Sequence, residues 1–354
     1  MLAVILAGGL GTRLRPLTLT CPKPIVPILN APFLHYQLAW LHQHTIRETV
    51  LACSYGVEAI RAAMGDGRSS GVWLRYAVEP EPLDTAGGLR NAAEAGDGLL
   101  VVLNGDVLTD LDLTAMLRFH QGSGARATIY LTQVEDPTRY GLVETGSDGR
   151  ILNFIEKPAR EQVSVNTINA GVYVLDRNLL ELIPRGTPVS MERNFFPELL
   201  ARRVPFFGYV GSAYWIDIGS PDRYRQVQVD LLAGRVVTSI KPPGTRTGSL
   251  WIGQESNISA EARLTGPAVI GWRTRLAPDC RVGPFTVLGD GACLERESRV
   301  EGAVLWHDVN VGPRARLTDC VIAEGCRIGA DAEIGPGTVL GAGSVVPAGA
   351  RLSV

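Results

Sequence analysis

Gly8, Gly9 and Gly11 follow an apolar run, Leu2 to Leu6, and lead to Arg13, Arg15 and, between Pro22 and Pro24, Lys23. Glycines at such a turn bring bare backbone N–H groups close to a ligand, and rows of N–H groups cradle phosphate oxygens. A guanidinium and an ammonium beside that cradle supply charge that phosphates attract. Farther along, Asn104-Gly105-Asp106 ends a second apolar run, Glu156-Lys157-Pro158 ends another, and Asp217 lies in Trp215-Ile216-Asp217-Ile218-Gly219. A carboxylate at a strand end is a hard oxygen ligand, and Mg2+ typically takes one or two of these beside substrate phosphates. Each block also has a blander reading: a tight turn, an aspartate capping the next helix, an exposed ion pair. The glycines do not fit the dinucleotide fingerprint, because Leu14 takes the third glycine's place, nor the P-loop, because no G-K-[ST] follows.

The lysines sharpen the choice. Of the 34 Lys plus Arg residues, the lysines are Lys23, Lys157 and Lys241. Two of them lie in P-K-P and E-K-P. An ammonium is a compact point charge and a guanidinium a planar fork, so lysine kept at these two places points to sites that want a point charge.

The elements that must position these groups are legible in outline. Residues 1 to about 234 alternate apolar runs with helical patterns, which reads as an α/β domain on a mainly parallel sheet. Helices are expected after Asn30 and Pro32, over Val57 to Met64, Leu89 to Ala95 and Leu113 to Phe119, and from Ser220 to Gly234. Strands are expected at Leu2 to Leu6, Thr49 to Cys53, Val72 to Val78, Leu99 to Leu103, Ala127 to Val134 and Val172 to Leu175. Asp148-Gly149 predicts a hairpin between Tyr140 to Glu144 and Ile151 to Glu156. Phe206 to Tyr209 and Ala213 to Ile218 are expected to form another around Gly211-Ser212. Ligands of open α/β sheets gather at the carboxyl ends of strands, which is where Asp106 falls.

From Arg235 to Gly248 the pattern breaks into a linker, and beyond it the period becomes six. Positions 252, 258, 264, 270, 276, 282, 288, 294 and 300 are all aliphatic; so are 305, 311 and 317, and then 322, 328, 334, 340, 346 and 352. One residue is dropped at each break. That is the hexapeptide pattern of a parallel β-helix, with three short strands per coil and about six coils. The expected division is 1–240 for the catalytic domain and 241–354 for linker and β-helix.

With 354 residues, 45% hydrophobic and 20% charged, the chain has material for two domains. A net charge of −2 gives no broad field for nucleic acid or acidic lipid. No apolar run is long enough to span a membrane, no export signal is read, and the six cysteines lack C-x-x-C spacing. A reducing cytoplasm is the expected setting.

G-G-x-G-T-R-L-R-P-L-T followed by P-K-P resembles the signature of sugar-1-phosphate nucleotidylyltransferases. The resemblance is closest to the mannose-1-phosphate guanylyltransferases that carry a C-terminal β-helix. It runs through most of the chain, with matching E-P-L-x-T-A-G, N-G-D, Y-G, E-K-P, N-A-G and W-x-D-I-G blocks. It implies a Rossmann-like nucleotidyltransferase domain followed by a left-handed β-helix. It implies that Leu6, Ala7, Gly8, Gly9, Gly11, Thr12, Thr85 and Gly88 line the nucleotide, and that Arg13 and Lys23 are catalytic cations on the pyrophosphate. Gly141, Glu156, Lys157, Asn169 and Gly171 would line the sugar phosphate, with Asp106 and Asp217 holding Mg2+. Asp84 stands where the family has glycine; its carboxylate could accept from guanine N1–H and N2–H or equally point to solvent.

The implied reaction is NTP plus sugar 1-phosphate giving NDP-sugar and pyrophosphate, with GTP and mannose 1-phosphate favoured. Glucose 1-phosphate with UTP or dTTP, and a heptose phosphate with GTP, are alternatives within the same chemistry. A non-catalytic subunit that binds nucleotide-sugar is the alternative from another class, and the intact cations and aspartates speak against it. The β-helix has only His307 as a candidate base for acyl transfer, so its expected role is assembly of a homo-oligomer.

Overall fold

The computed structural model describes residues 1–353. They form two compact units that are not contiguous in sequence. The first combines Met1–Gly9 with Tyr36–Ile216; the second combines Leu10–His35 with the chain from Asp217 onward. The glycine-rich signature is therefore divided, with Gly8 and Gly9 in the first unit and Gly11, Arg13 and Lys23 in the second.

The first unit is built on a nine-stranded sheet. Its parallel half runs Leu99–Asn104, Leu2–Leu6, Glu48–Cys53, Trp73–Val78; the first three are mostly aliphatic because both faces are covered, while the edge strand alternates buried Leu74 with exposed Trp73 and Arg75. Thr167–Asp176 joins antiparallel to Leu99–Asn104, and the Gly141–Thr145/Ile151–Glu156 hairpin extends that side as expected. On its other edge Thr167–Asp176 pairs with Ala127–Gln133, with a bulge between Asn169 and Tyr173. A bulge re-aims side chains, and here it turns out Asn169 and Gly171.

Two local readings are corrected. Phe206–Val210 and Trp215–Asp217 are not a hairpin. Phe206–Val210 pairs in parallel with Ala127–Gln133, while the strand carrying Trp215 and Ile216 pairs with Val107–Thr109. Gly211 N donates to Leu131 O, and Tyr214 N to the Asp110 carboxylate, so both sides of the Gly-Ser turn are satisfied elsewhere. The helix expected from Leu89 to Ala95 instead spans Asp84–Ala92. Its two glycines fall inside the helix, where a Cβ at Gly87 would lie 2.6 Å from Thr187 O. They serve close packing inside the helix.

The second unit holds a three-sided parallel β-helix. Each of its three sheets stacks six short parallel strands, and Thr245–Thr247 adds an antiparallel edge strand to the first sheet. Every one of the periodic aliphatic positions falls in a strand. Their side chains form one core with a second set of small residues, Ala292, Ala303, Ala315 and Ala332 among them. Cys280, Cys320 and Cys326 occupy that small set too, which accounts for their presence: they pack as small hydrophobes. The two dropped residues fall between Val300 and Leu305 and between Leu317 and Ile322. There Gly302 and Asp319, both in the left-handed region, turn the corner in one residue less. Among the described residues no helix is long and apolar enough to cross a membrane.

Candidate active site

In the first unit the chain leaves Leu2–Leu6 at the carboxyl end of the sheet. Ala7 N donates to Ala52 O, and Ser54 Oγ to Gly8 O, both at 2.8 Å, so neighbouring strands hold the loop. Gly105 N donates to Leu6 O at 2.8 Å, and a Cβ on Gly105 would lie 2.6 Å from that oxygen. Glycine is thus required before Asp106, which stands half-buried at the end of the adjacent strand.

Against this loop lies Glu79, a residue that sequence reasoning did not single out. It is 5% exposed, and its Oε2 accepts from Leu83 N at 3.0 Å. A Cβ on Gly88 would lie 2.6 Å from its Oε1 and one on Gly8 3.7 Å away, so the carboxylate sits between two glycines expected to line the nucleotide. Burial pushes its pKa up, against the Leu83 N–H, and the charge of Asp84 adds to the rise. The available signal was a carboxylate opening the E-P-E-P-L block; its burial was not visible.

Asp84 itself turns away. Its φ is 59°, its Oδ1 accepts from Thr85 N at 2.7 Å, and it is exposed. Aspartate tolerates the left-handed conformation that glycine ordinarily fills there. The Thr85 hydroxyl accepts from Met191 N at 2.7 Å and donates to Glu192 Oε2 at 3.2 Å. Thr85 therefore anchors the turn Met191–Phe195 and with it Glu192, a second acid missed in the sequence.

Glu192 stands near enough to the group expected around a sugar phosphate for its charge to act on Glu156. Burial first, then the like charge of Glu192, raises the pKa of Glu156, opposed by Lys157 and Arg193. Gly141 lies opposite Glu156 in the hairpin, and a Cβ there would approach Glu156 Oε2 to 3.1 Å. Lys157 takes a positive φ of 50° and holds Tyr140 O through its N–H at 3.0 Å. Its Nζ is 3.9 Å from Glu156 Oε1, and its side chain is 62% exposed and open to a ligand. Asn169 Nδ2 donates to Tyr173 Oη, and its Oδ1 accepts from Gly171 N, both at 3.0 Å. Gly171 has φ 71°, and a Cβ would lie 2.7 Å from Asn104 Nδ2. Asn104 Oδ1 is buried without a hydrogen-bond partner. The first unit thus gathers Gly141, Glu156, Lys157, Asn169 and Gly171 with Asn104 and Glu192.

In the second unit Gly11 has φ 62° at the start of the Thr12–Leu14 turn. Its carbonyl accepts from Thr18 Oγ1 at 2.8 Å, and a Cβ would lie 3.1 Å from Thr18 and 3.3 Å from Lys23 Cβ. Leu14 and Leu17 are fully buried and pin the segment, leaving Thr12 and Arg13 exposed and Lys23 half-buried. Asp217 pairs with Arg223, Oδ1 to Nη1 at 2.8 Å, with 12% of its side chain exposed. A Cβ on Gly219 would lie 2.9 Å from Asp217 Oδ2 and 3.2 Å from Arg13 Nη2. The glycine of W-x-D-I-G therefore lets the Arg13 guanidinium and the Asp217 carboxylate meet. Arg223, the cation on Asp217, is a third residue not anticipated.

Among the described residues no three His, Cys, Asp or Glu side chains cluster as a metal cage. Asp106 in the first unit and Asp217 in the second each offer hard carboxylate oxygens, the donor type that Mg2+ takes. The cysteines are free; burial pushes Cys21 and Cys320 up to about 12 and Cys53 and Cys280 up to about 11, far from thiolate chemistry.

Comparison with known proteins agrees with this layout. The nucleotidyl transferase family matches residues 2–234, and the GMPPB C-terminal domain matches residues 264–353. A mannose-1-phosphate guanylyltransferase of Mycobacterium tuberculosis is 38% identical over 301 residues, 84% of this chain and 81% of that one. A UTP–glucose-1-phosphate uridylyltransferase of Synechocystis is 33% identical over 341 residues, 91% of this chain and 87% of that one. The crystal structure of HddC from Yersinia pseudotuberculosis complexed with GMP-PN superposes with a TM-score of 0.56 at 30% identity, covering 65% of this chain and 99% of that one. With residues 2–234 matched by the one family and 264–353 by the other, the chain belongs to the nucleotidyl transferase family and carries a GMPPB-type C-terminal domain.

Proposed function

We propose that this protein transfers a guanylyl group from GTP to mannose 1-phosphate, giving GDP-mannose and pyrophosphate. The observation that carries the choice of base is Glu79. A buried carboxylate between Gly8 and Gly88 accepts two hydrogen bonds from guanine N1–H and N2–H. Uracil and thymine present one N–H between two carbonyls, and a carboxylate repels the carbonyls. The guanylyltransferase relatives support the same reading of the sugar.

The chemistry needs little from the protein beyond alignment and charge. The second pKa of a phosphate monoester is about 6, so the attacking oxygen is already ionised at neutral pH and no general base is required. That oxygen bonds to the α-phosphorus of GTP as the bond to the β-phosphate oxygen breaks and pyrophosphate leaves. In this reading Lys157 holds the sugar phosphate in line, while Glu156 and Asn169 accept and donate to sugar hydroxyls. Backbone N–H groups of the Gly8–Gly11 loop hold the phosphates, and Arg13 and Lys23 offset charge growing on the pyrophosphate. Asp106 and Asp217 would hold Mg2+, which supplies further neutralisation of the phosphates.

Pyrophosphate release measured across four NTPs and several sugar 1-phosphates tests the proposal; a chain that turns over glucose 1-phosphate with UTP in preference would replace it with the reading favoured by the Synechocystis relative. We place the protein in a reducing cytoplasm, supported by its unpaired cysteines, and as a homo-oligomer joined through the exposed faces of the β-helix.

A further inference from the structure

The segment Leu10–His35, which carries Arg13 and Lys23, packs in one unit with the β-helix. Lys23 opens the short turn Lys23–Ile25, and the chain then forms a tight antiparallel pair, Pro27–Ile28 with Ala31–Pro32. The backbone polar groups of that pair are met by helix Pro221–Leu232. Tyr224 Oη donates to Pro27 O, Gln228 Nε2 donates to the same carbonyl at 3.1 Å, and Leu29 N donates to Gln228 Oε1 at 2.8 Å. Tyr224 and Gln228 are four residues apart, so they share one helix face.

Behind the helix the bonding continues into the coils. Trp306 Nε1 donates to Tyr224 Oη at 2.9 Å, and the two rings pack edge to face with centroids 6.3 Å apart. Asn30 Nδ2 donates to Leu288 O at 2.8 Å, on the coil directly below Leu305. Arg225 pairs with Asp319 at 2.9 Å on the following coil. Trp306 and Tyr224 are 3% and 0% exposed, so this is a dry connection from the β-helix to the chain beside Lys23. Buried polar chains of this kind fix one arrangement when every member is satisfied.

We infer that Trp306 and Tyr224 are positioning residues for Lys23: the hydrogen-bond line Trp306–Tyr224–Pro27 fixes the turn that presents the lysine ammonium. The β-helix thereby takes part in setting the geometry of nucleotidyl transfer, in addition to any role in assembly. This rests on the reading of Lys23 as a cation that serves the departing pyrophosphate.

A double-mutant cycle on the full chain tests it, with pyrophosphate release from GTP and mannose 1-phosphate as the assay and thermal unfolding alongside. Tyr224→Phe keeps the ring and removes the hydroxyl; Trp306→Phe keeps an aromatic ring beside Tyr224 and removes the N–H together with part of the indole's volume, a packing loss that thermal unfolding reads. Either change is expected to lower kcat/KM for GTP about fivefold, the scale of one hydrogen bond, with KM for mannose 1-phosphate unchanged. In a Lys23→Ala background the same change is expected to cost less than about twofold, because its effect runs through the lysine. Equal losses in both backgrounds, or wild-type kinetics in both Phe variants, overturn the inference. If Tyr224→Phe lowers the melting temperature enough to deplete folded protein, the Trp306→Phe cycle decides by the same criteria. An inactive wild-type protein would instead refute the proposed reaction, and a fully active Lys23→Ala protein would refute the role of Lys23. Each failure is read separately from additivity in the cycle.

Discussion

Replacing Glu79 by Gln changes the hydrogen-bonding character of the proposed base site without changing its shape. The amide oxygen can still accept from Leu83 N, now at 3.0 Å from Oε2. The NH2 group then stands at the Oε1 position beside Gly88 and opposes the donors of guanine. A hydrogen bond to a charged group contributes about 1.5–3 kcal/mol, so kcat/KM for GTP should fall by about 10- to 100-fold. UTP and dTTP, which match an amide's paired donor and acceptor, should hold steady or improve. Folding should not suffer. The folded-state pKa of Glu79 is raised above the unfolded value, mainly by burial, so its ionisation opposes folding. That penalty is absent below the unfolded pKa, grows as pH rises from there through the folded pKa, and is fully present above it; Gln removes it. The melting temperature at pH 7 should therefore stay level or rise. In the wild type, KM for GTP should climb as pH falls through this raised pKa, above the usual glutamate range, and Glu79→Gln should lose that acid limb. The assay is pyrophosphate release with each NTP from pH 5 to 8. A variant that keeps its preference for GTP within about threefold would refute the reasoning, since the lost charge-assisted bond must show at that scale.

Gly219→Ala would push a methyl to 2.9 Å from Asp217 Oδ2 and 3.2 Å from Arg13 Nη2. Displacing these groups should cut kcat about 10-fold or more with circular dichroism unchanged; full activity would separate the pair from the chemistry. Asp106→Asn should abolish Mg2+-dependent turnover in a protein that still unfolds cooperatively, and normal turnover would end the metal assignment. Lys157→Ala should raise KM for mannose 1-phosphate at least about 10-fold more than KM for GTP, the scale of one charge-assisted contact. Equal rises would remove Lys157 from the sugar-phosphate side.

The periodic elements were legible because their cause is local. A β-helix coil needs one inward aliphatic per short strand, and Ile252 to Leu352 keep that phase through both dropped residues. The strand-end placement of Asp106 was legible because a buried parallel strand announces itself as an apolar run. The readings that fell short depended on distant partners. Gly211-Ser212 is a good turn, but the edge of Ala127–Gln133 captured Phe206–Val210 in parallel instead. Glu79 looked like any loop carboxylate until Gly8 and Gly88 closed on it. Arg223 and Glu192 carried no motif, and only the folded chain sets them against Asp217 and Thr85.

The grouping of Leu10–His35 with the C-terminal coils also bears on how the protein is made. A ribosome delivers this segment first, and its buttresses, Tyr224, Gln228, Leu288 and Trp306, emerge some two hundred or more positions later. During synthesis the signature peptide must wait without its lodging, whereas the strands beside Leu2–Leu6 can assemble as they appear. Competence for the reaction therefore arrives late in translation, and a message cut short ahead of Trp306 would leave a chain with its motifs written and its lysine unanchored.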